Sequence, residues 1–266
     1  YLLIRISIMT TKSRSRLTCA FISSVAWILA LSVDTQAEPK KYDTPKQPWS
    51  DYTVHQIDRP NPEKVKTNGA VCTKPPAGAV VLFDGKNTDA FTRAWRVKDG
   101  LMIASPGSTQ TKKSFGSCKL HVEWRVPAGR KVDGQYGANS GVFLMSRYEV
   151  QVLESFENVT YADGQAAAIY GQYPPSVNAS VPQGEWHSYD IIFEAPVYGD
   201  NGLEKPAFMT VIHNGVKVHD RQQLHGPTTF KKLATYPSKH PDKAPIRIQW
   251  HKDPIEFRNI WVQDKE

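Results

Sequence analysis

The chain has 266 residues, 40% of them hydrophobic and 22% charged, with a formal net charge of +7. That length admits one large domain or two small ones. The basic excess is small and dispersed, which argues against a nucleic-acid partner, because such a partner demands a clustered basic face. Beyond the first 37 residues no stretch approaches the ~18 apolar residues that a membrane span needs.

The N-terminus reads as an export signal. Lys12, Arg14 and Arg16 precede a mostly apolar run from Leu17 to Val33, followed by Thr35-Gln36-Ala37. Basic, apolar, then small is the order of a cleaved secretory leader. Met9 is the expected start and cleavage is expected after Ala37, giving a secreted or periplasmic protein with no integral membrane span. Removing residues 1–37 takes away four basic residues and one acidic one, so the charge falls from +7 to +4. Cys72 and Cys118 then remain. An even pair in an exported chain is expected to form a disulfide; two separate buried thiols are the alternative.

Residues 38–78 carry seven prolines and little apolar periodicity. They read as an extended segment, wrapped on the domain or loose. From Ala79 to the C-terminus the texture changes to short strands. Asp99-Gly100 and Asn214-Gly215 each separate two alternating runs, a strong hairpin signal. "KLHVEWRVP" puts Leu120, Val122, Trp124 and Val126 on one face and His121, Glu123 and Arg125 on the other. "SGVFLMS", "WHSYDIIFE", "IRIQWH" and "IEFRNIWVQ" continue the set. No helical stripe exceeds about three turns. Many strands at short spacing, with long loops at 127–139 and 155–184, predict an all-β jelly-roll sandwich over residues 79–266 with one face open as a groove.

"YEVQVLES" carries the chemistry. Glu149 and Gln151 share a face at spacing two. Glu154 joins them only if one extra residue bulges the strand near Leu153, as bulges beside active sites do. The resulting E-x-Q-x-x-E is similar to the E-x-D-x-x-E strand of laminarinase-type retaining glycosidases. Those use two carboxylates ~5–5.5 Å apart as nucleophile and acid/base. Here an amide replaces the middle carboxylate, which weakens simple retaining hydrolysis.

"FDGKN", "NSGVFLMSRYEVQVLES", "GEWHSYDIIFEAP", "NGVKV" and "FRNIW" occur in that order from about Ala79 to Gln263. Together they resemble the 3-keto-disaccharide hydrolase domain family. The resemblance implies a concanavalin-like jelly roll and chemistry on sugars already oxidised at C3. The ketone acidifies the C2 proton; a base removes it, the group at C1 is expelled, and water adds to the enone. The carboxylates Glu149 and Glu154, with His251, are the expected acid/base residues. Gln151, Asn139, Tyr148, Tyr170, His121, Glu123 and Arg258 are expected to contact the sugar, with Arg258 placed to stabilise an enolate. Gln249-Trp250-His251 stands where the family carries Gln-Asp-His. No zinc signature is present, so no cofactor is assigned and a divalent cation is left open. Two rival readings share the carbohydrate partner: a non-catalytic lectin-like module and an ordinary retaining glycosidase.

Overall fold

The computed structural model describes residues 42–265; the leader read over residues 1–37 lies outside them. The strands, in chain order, are β1 (Val80–Phe83), β2 (Arg96–Lys98), β3 (Leu101–Ile103), β4 (Thr109–Phe115) and β5 (Cys118–Arg125). Then come β6 (Asn139–Leu144), β7 (Tyr148–Leu153), β8 (His187–Glu194), β9 (Val197–Gly199) and β10 (Gly202–Lys205). The last four are β11 (Phe208–His213), β12 (Val216–Gln223), β13 (Ala244–Ile248) and β14 (Glu256–Asp264). One 3-10 turn, Ala162–Gly164, sits in the long loop after β7. Among the described residues no helix is long and apolar enough to cross a membrane.

Both hairpin signals close as read. Asp99 and Gly100 take φ of 52° and 74°, and Asn214 and Gly215 take 51° and 81°. Two successive positive φ values define the turn whose twist matches the flanking strands. They join β2 to β3 and β11 to β12.

Two antiparallel sheets face each other. The larger runs β12-β11-β8-β5-β14-β3-β2, with β1 added against β14; the smaller runs β4-β13-β6-β7. Alternation decides which side chains meet between them. Leu120, Val122 and Trp124 of β5, Tyr189, Ile191 and Phe193 of β8, and Met209 and Val211 of β11 come from the large sheet. Val142 and Leu144 of β6, Tyr148, Val150 and Val152 of β7, and Ile246 and Ile248 of β13 come from the small one. Fully burying one such side chain contributes about 1.5–3 kcal/mol, so this interlayer is what holds the sandwich.

The expected disulfide does not form; Cys72 and Cys118 are free thiols. Cys118 starts β5 on the core face, whereas Cys72 lies on the outer face beside Asn259 and Glu123. A sheet therefore separates them, which no disulfide geometry can span.

The proline-rich segment, from residue 42 onward, is wrapped on the sandwich. Gln47 is fully buried, and its Nε2 donates to the carbonyls of Gly171 (2.9 Å) and Gln172 (3.2 Å). Trp49 Nε1 donates to Gln172 O at 3.1 Å. Farther along, Val65 N donates to Asn178 O and Ala70 N to Trp186 O. Lacking a helix or sheet of its own, the segment satisfies its polar groups on the loops of the domain.

Candidate active site

The outer face of the small sheet is the floor of a cleft of about 800 Å³. The residues of opposite parity to the core set point into it: Asn139 and Phe143 from β6, Glu149 and Gln151 from β7, and Gln249 and His251 just after β13. The β6–β7 register is unbroken from Asn139↔Leu153 to Leu144↔Tyr148. Gly141 lies opposite Gln151 and makes room for the acid: a Cβ there would collide with Glu149 Oε1.

Glu149 is 5% exposed, and among the described residues no donor hydrogen-bonds its carboxyl group. Burial pushes its pKa up to about 8, opposed by the charge of Arg247. Desolvation outweighs that charge, and the Arg247 guanidinium is stacked on the Phe143 ring at 3.8 Å rather than bonded to the carboxyl. At neutral pH the carboxyl carries a proton. Beside it, Gln151 Nε2 donates to Gln135 Oε1 (2.9 Å) and Gly164 O (3.3 Å), while its Oε1 is buried with no partner. Asn139 Nδ2 donates to the same Gln135, to its O (2.9 Å) and Oε1 (3.2 Å). Gln135 thus aligns both amides, leaving an acceptor for an incoming hydroxyl.

One wall is aromatic. The hydroxyls of Tyr161 and Tyr170 lie 2.7 Å apart. Burial raises both pKa values well above the usual tyrosine value, so both stay protonated. His55 of the wrapped segment stacks obliquely on these rings, with centroids 4.3 and 4.8 Å away. Tyr136, 73% exposed, and Phe230, 63% exposed, stand at the mouth.

Several candidates fall elsewhere. The bulge near Leu153 is absent, so Glu154 points out of the cleft. Its Oε1 accepts from the N–H groups of Phe156 (2.9 Å) and Glu157 (3.4 Å), and it lines a neighbouring recess with Val132, Asn158 and Pro182. A short polar turn follows β7, and the carboxylate is used to cap it. Tyr148 obeys the same alternation and is buried in the core, packed on Phe193 with its hydroxyl 2.9 Å from His240 Nε2.

His121, Glu123 and Arg258 occupy the outer face of the large sheet, away from the cleft. Glu123 Oε2 accepts from Arg258 Nε at 2.6 Å, and Glu123 Oε1 accepts from Asn259 Nδ2 at 2.7 Å. Against the cost of its burial, hydrogen bonds with His121, Asn259, Arg258 and Cys72 hold the Glu123 pKa down to about 2. His121 stacks on Trp261 and lies 3.1 Å from Asp190 Oδ1. A bulge in β14 between Arg258 and Trp261, with Asn259 at φ 44°, turns the asparagine onto this cluster. Glu149, Gln151, Asn139, Tyr170 and His251 do share the cleft. Tyr161 and His55 were not expected there: one sits in an irregular loop, the other in a segment without periodicity, and neither spacing carries a signal. Among the described residues no group of three His, Cys, Asp or Glu side chains gathers as a cation site.

Residues 78–263 match the 3-keto-alpha-glucoside-1,2-lyase-like domain. A crystal structure of a "putative glycosyl hydrolase" from Parabacteroides distasonis is 33% identical, with a TM-score of 0.69, covering 86% of this chain and 100% of that one. Two further structures carrying the same description from that organism are 18% and 20% identical, each with a TM-score of 0.52. They cover 71% and 70% of this chain and 94% and 99% of their own, and share the fold. No functionally curated protein matches the chain. A match over most of the chain, reinforced by a relative aligned along its whole length, establishes membership: the chain belongs to the family of 3-keto-alpha-glucoside-1,2-lyase-like domains.

Proposed function

We propose that the protein cleaves 3-keto-glycosides by removing the C2 proton, eliminating the C1 substituent and hydrating the resulting enone. The observation that carries the reading is a single buried carboxyl on the cleft floor, Glu149, whose pKa burial pushes up to about 8, flanked by an amide rather than a second acid. A retaining glycosidase needs two carboxyl groups ~5–5.5 Å apart, and Glu154 faces another recess. Elimination needs only one acid for the leaving oxygen, a base, and donors for an enolate.

The residues divide the work as follows. Gln151 and Asn139, held by Gln135, receive sugar hydroxyls. The Tyr161 and Tyr170 hydroxyls donate to the oxygen at C3 as charge develops there. Glu149 gives its proton to the departing C1 oxygen as the C1–O bond breaks and C1=C2 forms. Its carboxylate then takes a proton from the water that adds at C1. Tyr136 and Phe230 offer ring faces to the aglycone at the mouth. Family membership supports action on glycosides, and the two aligned domains are carbohydrate-acting by their description.

The test runs 3-keto-glucosides and their unoxidised parents in parallel, in D2O. Cleavage of the keto forms alone, with deuterium at C2 of the product, is expected. Glu149→Gln should lower kcat by about 10²–10⁴-fold. Cleavage of the parents would instead indicate a conventional glycosidase, and binding without turnover a lectin-like module.

A further inference from the structure

His55 belongs to the wrapped segment, outside the 78–263 family match. Its backbone N–H donates to Asp163 Oδ2 at 3.0 Å, and its Nδ1 lies 3.3 Å from Asp163 Oδ1. Asp163 is fully buried on the 3-10 turn. Two bonds from one carboxylate fix both the position and the tautomer of the ring, placing the proton on Nδ1 and a lone pair on Nε2. That Nε2 is buried with no partner, and the side chain, only 3% exposed, lines the cleft. An orphaned acceptor is costly unless something arrives to use it.

The surroundings fit a base. His55 has φ 57°, a conformation disfavoured for a side-chain-bearing residue. It is held there by the anchors of Gln47 on Gly171 and Gln172. Gly171, beneath the ring, takes φ 71°, a conformation that glycine adopts freely. Tyr161 and Tyr170, whose rings pack obliquely on His55, line the same cleft as Glu149. Phe230, 5.7 Å from the imidazole, is mostly exposed at the mouth and lies outside the core. His251 also lines the cleft, but among the described residues no partner orients its ring.

We infer that His55, supplied by the N-terminal segment and oriented by Asp163, is the base that removes the C2 proton; this rests on the 3-keto-glycoside reading. The C2–H bond breaks with its proton passing to Nε2. Its electron pair forms C2=C3 as the C3 oxygen becomes an enolate between the two tyrosines. Collapse of the enolate forms C1=C2 and expels the C1 oxygen, which takes the Glu149 proton. When water adds at C1, the imidazolium, its proton exchanged with solvent, protonates C2. His55 is a catalytic residue in this scheme, and Asp163 a positioning residue.

The experiment measures turnover of a 3-keto-glucoside and exchange of its C2 hydrogen with D2O, using the full chain. His55→Gly suits the positive φ. It should lose about 10²–10⁴-fold in both rates, keep its melting temperature within a few degrees, and be partly rescued by added imidazole. Asp163→Asn, whose amide can donate to Nδ1 and drive the proton to Nε2, should lower kcat while altering the ascending limb of its pH profile. If the wild type cleaves and exchanges while His55→Gly does so undiminished, or the loss resists imidazole in a folded variant, the base lies elsewhere and the glycoside reading stands. If the wild type neither cleaves nor exchanges, that reading falls and takes the assignment with it.

Discussion

At the scale of single residues, the protonation of Glu149 governs what the cleft can do. Burial raises its pKa from 4.5 to about 8 while Arg247 pulls the other way. An acid must be protonated to act, so kcat should decline as pH rises through about 8. Arg247→Gln removes the one charge that stabilises the carboxylate, and the declining limb should move to higher pH. A limb that stays in place in pH–rate profiles of both proteins would detach the limb from Glu149. The same shift has a stability consequence. A raised carboxyl pKa contributes fully below 4.5, and the contribution disappears as pH climbs through about 8. Glu149→Gln should therefore melt like the wild type near pH 4 and above it near pH 9.

Among the elements, the β6–β7 pair makes the site. Its turn, with Met145 and Ser146 at φ 51° and 56°, sets a register in which every second side chain of β7 reaches the cleft. The pair tolerates no crowding at Gly141, whose missing side chain is the space that Glu149 occupies. Gly141→Ala should displace the carboxyl, cost about 1–3 kcal/mol of stability as overpacking, and remove most of the activity. Paired denaturant melts and kinetics check this; an alanine variant that is stable and fully active would show that Glu149 need not sit over that glycine.

For the molecule as a whole, three buried histidines tie stability to pH. His187 Nδ1 lies 2.9 Å from His213 Nε2 beneath Trp124, and His219 Nε2 lies 3.0 Å from Ala167 O. Burial lowers the pKa of His213 to about 3 and of His219 to about 4, and that of His187 well below 6.5. The unfolded chain takes up protons near 6.5 that the folded one refuses. Stability is thus complete above about pH 6.5 and erodes as pH falls toward 3. His219→Gln, which keeps a donor for Ala167, should make the fall of melting temperature between pH 6 and 4 shallower. An unchanged slope would assign acid unfolding to other groups.

Local chemistry in the sequence was enough for the all-β class, the two hairpins at Asp99-Gly100 and Asn214-Gly215, and the alternation of β5. Each depends on residues adjacent in the chain, through turn dihedrals and the two-residue period of a strand. The same period placed Glu149 and Gln151 together, and it equally required Tyr148 to face the core and Glu154 to leave the cleft. The expected bulge had no turn residue to drive it. Which face of which sheet became the cleft was a different matter. His121, Glu123 and Arg258 are as polar as the cleft residues, yet packing placed them on the outer face of the large sheet, where Asn259 and Thr73 cover them. His55 met Asp163 only because a segment without periodicity of its own folded back across 108 residues to satisfy its buried polar groups. Periodicity is a property of neighbours along the chain, whereas an active site is assembled by contacts between segments far apart in it, and those are decided when the layers pack.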